Sequence, residues 1–168
     1  FFQKAGYQDL IVSTKNYPRY SPSQTGPVGR DRQLRKQDGK FLRNLISTDH
    51  ATRLIYEIYT RQAVSPKYSR RMAYLLTRDL RPEVWQNDPY NGVESFLGES
   101  LPTNIYFGSK VGLTSKDRMD VAFVRTLDNQ AIYILAIFAE DAAYSNDEEI
   151  FPKLSRHVYD RMIALGNK

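Results

Sequence analysis

The sequence contains no cysteine and only two histidines, His50 and His157. A disulfide framework, a Cys-based zinc site and a cysteine nucleophile are therefore excluded, as is a His-rich metal centre. No other motif implies a cofactor. No apolar run approaches the roughly 18 residues of a spanning helix, so no transmembrane segment is expected. Glutamate is missing from the whole first third of the chain, where Glu57 is the first to occur. The opening residues, Phe1-Phe2-Gln3-Lys4, are neither an initiator methionine nor a signal peptide, and the chain is expected to be cut or processed upstream.

What is present suits a folded protein. Of 168 residues, 41% are apolar and 12% aromatic, too many for intrinsic disorder. A chain of this length can bury about 70% of its unfolded surface.

The formal charge of +5 is unevenly placed. Residues 1–43 hold nine Lys/Arg and three Asp, whereas the remainder holds 15 basic and 16 acidic residues. All the excess thus lies in the first quarter. The same region carries Pro18, Pro22, Gly26, Pro27, Gly29 and Gly39 and has no apolar periodicity from Asn16 to Lys40. It reads as a long irregular loop within a region spanning 1–46, of the kind that is usually functional. Tyr17, Tyr20 and Phe41 interleave with its cations, a pattern that can stack bases and neutralise phosphates. The modest charge density and the absence of an RNA-binding signature favour a solvated loop, and no nucleic-acid partner is expected.

From Ser47 the pattern becomes regular. Ser47 or Thr48 can cap a helix in which Ala51, Leu54, Ile55 and Ile58 share one face. Ser65 caps a second helix with Pro66 at its first position, and Pro82 ends it, giving a helical hairpin over 47–81. Residues 81–103 are mixed, with Trp85 in a polar stretch and one helical turn expected over Val93 to Leu97. Strands are predicted over 104–110, 119–127 and 131–139, the last two joined by an Asp128-Asn129-Gln130 turn, within a block spanning 104–139. The third strand is apolar at nearly every position, which suits a strand covered on both faces or central in its sheet. Asn146 to Glu149 resembles a capping box for a closing helix over 147–165, with Ile150, Leu154, Val158 and Met162 in one row. The fold class is α+β, an antiparallel sheet covered by helices.

One segment could carry chemistry. Lys110 stands at a strand end, with Gly112 two residues on. Without a Cβ, Gly112 lets another molecule approach the edge strand, and edge N–H groups can hold a carboxylate or a developing oxyanion. The plainer alternative is a surface lysine before an ordinary hairpin.

The surrounding segments shift the balance between them. Leu101-Pro102, Lys110-Val111-Gly112-Leu113-Thr114-Ser115, Asp120-Val121-Ala122-Phe123-Val124 and Ala131 to Phe138, followed by an acidic loop and a last helix, resemble the C-terminal part of the class A β-lactamase-like and penicillin-binding serine hydrolases. The resemblance covers roughly residues 45 to 165. It implies acyl-enzyme chemistry on a small β-lactam, peptide or ester substrate, without a cofactor, in an exported protein. It implies Lys110 as the box lysine and the Leu113 backbone N–H as half of an oxyanion hole. Val111, Gly112, Thr114, Ser115 and Arg118 make up the implied substrate-binding set. Valine replaces the hydroxyl residue of the family box. Arg118 is either a carboxylate-binding arginine or a turn residue paired with Asp117 or Asp120.

Two family features are missing. No serine is followed three residues later by lysine, so the Ser-x-x-Lys nucleophile motif is absent, and so is Ser-Asp-Asn. No glutamate lies between Gly6 and Ile46 to activate a deacylating water; Asp31 and Asp38 are the late acids there. The chain is therefore expected to be the C-terminal piece of one larger domain, inactive alone, with the preceding portion as its partner. A non-catalytic relative that binds cell-wall peptide or a protein in the same groove is the second expectation.

Overall fold

The computed structural model describes residues 2–12, 36–37, 40–41 and 44–166. Most of the basic loop, with Asp31 and Asp38, lies outside the described residues. The chain divides into two compact units, Phe1–His50 and Ala51–Lys168.

In the first unit, Ile11 and Leu45 exchange both main-chain hydrogen bonds at 2.9 Å. Buried Tyr7 packs edge-on against Phe2 and against the ring of His50, 5.6 Å away. His50 thus stands in aromatic packing. Two-residue strands β1 (Lys36–Gln37) and β2 (Lys40–Phe41) pair antiparallel, so the predicted irregular loop ends in a short hairpin.

Helix α1 (Thr48–Tyr59) starts where predicted, with Ser47 Oγ accepting the His50 amide at 3.2 Å. Its buried residues, Ala51, Ile55 and Ile58, follow the 3.6-residue period. Arg61, at φ 66°, turns the chain out of the helix. Helix α2 (Pro66–Leu76) has Ser65 as its N-cap and Pro66 in its first turn. Its apolar row is only partly covered: Tyr68 and Leu75 are exposed, Leu76 packs on a core, and Ser69 is the helix's fully buried residue. Ser69 is small enough to sit against the preceding turn, where its hydroxyl donates to Ala63 O at 2.7 Å.

A single turn, α3 (Pro82–Trp85), sets Trp85 in the core, its indole N–H donating to Leu80 O at 3.2 Å. Val93 to Leu97 forms turns rather than a helix. Ser95 has φ 63°, which no helical residue adopts, and Val93, Phe96 and Leu97 are buried.

Strands β3 (Ile105–Leu113), β4 (Arg118–Thr126) and β5 (Ile132–Ala139) form an antiparallel meander in the order β3-β4-β5. β3 extends three residues beyond its expected end, so Lys110 lies inside the strand. Both connections are tight hairpins, which forces β4 into the centre although it carries Arg118, Asp120 and Arg125. The apolar β5 is an edge of these three strands, yet it is packed on both faces. Tyr133, Leu135, Ile137 and Ala139 join one core; Ile134, Ala136 and Phe138 join the other.

The first core holds Trp85, Phe96, Leu97, Phe107, Val124 and Phe151. The second lies under α1, with Ala51, Ile55 and Val121. After the turn α4 (Ala142–Ser145), the closing helix α5 (Ile150–Gly166) begins where Asp147 Oδ1 accepts the amides of Glu149 and Ile150. Asp147, not Asn146, is therefore the cap. Its buried face is Phe151, Pro152 and Ser155, one position round from the predicted row, and Leu154 is exposed. The small Ser155 allows close approach, its hydroxyl donating to Leu97 O at 2.6 Å.

Candidate active site

The predicted box residues lie together on the outer part of β3 and its hairpin. Cross-strand partners fix their orientation: Lys110 faces Val121, Val111 faces Asp120, Gly112 faces Met119 and Leu113 faces Arg118. Alternation then separates the side chains. Lys110 is exposed on the face that carries the α1 core, and its ammonium donates to Val111 O at 2.6 Å. Val111 turns the other way. It packs on the first core, and a methyl group added at Gly92 would lie 3.3 Å from its Cγ2. Its side chain is thus a packing element on the opposite face from Lys110.

Main-chain direction follows from the hairpin. Thr114 N–H donates to Asp117 O at 2.9 Å, which makes 114 and 117 a hydrogen-bonded pair. Hydrogen-bonded and open pairs alternate along an antiparallel ladder. Leu113 and Val111 therefore direct their N–H groups away from β4, to the open edge. The same parity holds further along, where Phe107 O accepts from Arg78 N at 3.0 Å and Ser109 O from Arg78 Nη2 at 3.4 Å. These contacts cover the inner half of the edge and leave the Leu113 end clear of α2. At Gly112 a Cβ would meet no more than Met119 Cβ, at 3.8 Å. Packing within the described residues does not demand glycine there, so the opening faces outward.

The remaining expected site residues hold the hairpin. Thr114 Oγ1 accepts the amides of Lys116 and Asp117 and donates to Asp117 Oδ2 at 2.6 Å. Ser115, exposed, accepts the Ser145 hydroxyl at its carbonyl at 3.1 Å. Arg118 is 2% exposed. It pairs with neither Asp117 nor Asp120. Its Nε, Nη1 and Nη2 donate to the carbonyls of Tyr144, Ser95 and Ser145 at 3.1, 2.6 and 2.8 Å, over the Phe96 ring. A guanidinium turned inward in this way organises the hairpin from behind.

Sequence reasoning passed over Asp120. It is wholly buried beside Val111, and its Oδ2 accepts the Leu97 amide at 3.1 Å. Burial pushes its carboxyl up to about 7, against the opposing pull of the Leu97 N–H, Arg78 and Lys110. Among the described residues, its Oδ1 and the neighbouring buried Ser109 hydroxyl have no hydrogen-bond partner. The signal was an acid directly preceding the apolar run Val121 to Val124. Among the described residues no group of three His, Asp or Glu side chains could hold a metal.

An edge strand with an exposed lysine, an outward amide three residues on and an unobstructed glycine between them sits on a helix-covered antiparallel sheet. The sequence matches the model of the beta-lactamase enzyme family over residues 1–162. The chain belongs to that family. Two solved β-lactamases share its fold. That of Sphaerobacter thermophilus superposes with a TM-score of 0.63 at 18% identity, covering 96% of this chain and 51% of the other. A representative class A β-lactamase from Bacteroides cellulosilyticus gives 0.53 at 17% identity, covering 72% and 43%. The chain therefore spans about half the length of these β-lactamases. No curated protein matches the sequence. No helix among the described residues is long and apolar enough to cross a membrane.

Proposed function

We propose that the complete protein is a serine hydrolase that works by acyl transfer, and that this chain supplies one wall of its active site. A serine hydroxyl attacks the substrate carbonyl carbon and its proton passes to a base. The carbonyl electrons move onto oxygen, then return to expel the leaving group, and water releases the acyl group. Lys110 places a cation beside the nucleophile, where it favours an anionic substrate. The Leu113 N–H points at the developing oxyanion. Gly112 leaves room for the substrate backbone against the strand. Thr114 and Ser115 shape the end of the groove, and Arg118 acts through the hairpin. The nucleophile belongs to the preceding portion of the domain, which together with a small β-lactam, peptide or ester completes the partners of this wall. An exported location follows from the same reading.

The observation that carries this proposal is the convergence of the Lys110 side chain and the outward Leu113 amide at one open strand end, in a chain of the β-lactamase family. Without a glutamate between Gly6 and Ile46, deacylation is slow and the enzyme resembles a penicillin-binding peptidase or esterase more than an efficient lactamase. The test is intact-mass analysis of the full-length protein after incubation with benzylpenicillin and with a fluorophosphonate. A stable adduct of either reagent supports the proposal.

A second reading, a non-catalytic binder of cell-wall peptide or protein, is favoured by one observation. Val111 offers no hydroxyl and turns into the core. Absence of any adduct, together with binding of a muropeptide, establishes it instead.

A further inference from the structure

A second concavity lies on the same sheet face as Lys110 but at the far end of β3, between α1, α2 and the sheet. Its volume is about 460 Å³, within the range of small-molecule sites. The floor is aromatic. Tyr59 stacks on Phe123 at 3.9 Å and 12°, and Tyr106 meets both edge-on, at 5.8 and 5.9 Å. The rim carries Arg61, Arg70 and Arg125, and no carboxylate is among the lining residues. None of these three arginines has an ion-pair partner among the described residues. The Arg125 guanidinium lies 5.3 Å from the Tyr106 ring centroid, over the floor.

Three like charges around one concavity repel each other, and an anion inside it relieves that repulsion. A wall of mutually stacked and perpendicular rings favours an apolar ring, through offset and edge-to-face contact, over a compact ion. We infer that this chamber is a binding site for an aromatic carboxylate, seated with its ring on Tyr59, Phe123 and Tyr106 and its anionic group among Arg61, Arg70 and Arg125. The site is separate from the strand end that bears Lys110 and stands whether or not that end is catalytic.

The experiment is calorimetric titration of the full-length protein with naphthalene-2-carboxylate, the neutral naphthalene-2-carboxamide and sodium sulfate. The carboxylate is expected to bind about tenfold more tightly than the amide, with sulfate weaker than either. The exposed pair of substitutions Arg70→Gln and Arg125→Gln should weaken carboxylate binding about tenfold without lowering the melting temperature. Lys110→Ala should leave it unchanged, which separates this chamber from the proposed active site. Equal binding of carboxylate and amide overturns the inference. So does no binding at all, binding undiminished in the double variant, or binding lost in Lys110→Ala.

Discussion

The hydroxyl of Tyr59 lies against the backbone of Gly108: a Cβ built on Gly108 would stand 2.0 Å from that oxygen. Helix α1 and strand β3 meet there with no space for a methyl group. Gly108→Ala is therefore expected to cost about 1–3 kcal/mol through overpacking. Tyr59→Phe in the same background should recover part of the loss, because the two residues couple directly. Urea unfolding of the four-member cycle measures both, and additive effects would refute the contact.

Arg118 joins three carbonyls from two separate segments to the first residue of β4. Arg118→Met leaves those carbonyls without donors and is expected to destabilise by about 3 kcal/mol. Arg118→Lys should not rescue it, since an ammonium cannot reproduce the planar fork. Chemical denaturation checks the stability. Were Arg118 a substrate ligand instead, the Met variant would unfold at the wild-type midpoint and show only a raised KM.

Asp120 makes stability depend on pH in a definite direction. Its carboxyl titrates near 7 folded, against 3.8 as the ordinary value, because burial disfavours the charge. Below about pH 4 both folded and unfolded states hold the proton. Between about 4 and 7 only the folded state holds it, so its contribution is lost as pH rises through this window and is level above it. Asp120→Asn keeps an acceptor for the Leu97 amide and removes the ionisation. It should flatten the stability profile across that window and be the more stable form at pH 8. A profile that keeps its slope in the variant places the titration elsewhere.

Thr114 closes the β3–β4 turn with three hydrogen bonds. Thr114→Ala should cost about 1 kcal/mol and increase amide exchange at Lys116 and Asp117. Unchanged exchange would mean that the hydroxyl does not order the turn.

Much of this architecture is written in local signals. Ser47, Ser65 and Pro66 mark the helix starts because caps and first-turn proline act over three or four residues. The strands emerge from apolar runs between turn residues, with boundaries off by up to three positions. What escaped depends on tertiary packing. The row of α5 shifted because Ser155, polar by type, is the residue small enough to dock on Leu97. In α2 only Leu76 of the apolar row packs on a core, while Tyr68 and Leu75 stay exposed among the described residues although the period is helical. At the candidate site, the family resemblance alone pointed to Lys110 and Leu113. The inward turn of Val111 and the buried fork of Arg118 required the register of β3 on β4. Asp120 gave little sign because a lone acid in a strand usually reads as a solvent-facing residue.

We propose the Lys110–Leu113 end of β3 as a catalytic wall. Its most direct measurement is the acylation rate of the full-length protein by a fluorescent penicillin, compared with Lys110→Ala at matched thermal stability. Loss of a preorganised cation at the site predicts a fall of about 100-fold or more. A rate equal to that of the wild type would contradict the claim and place the chemistry elsewhere in the protein.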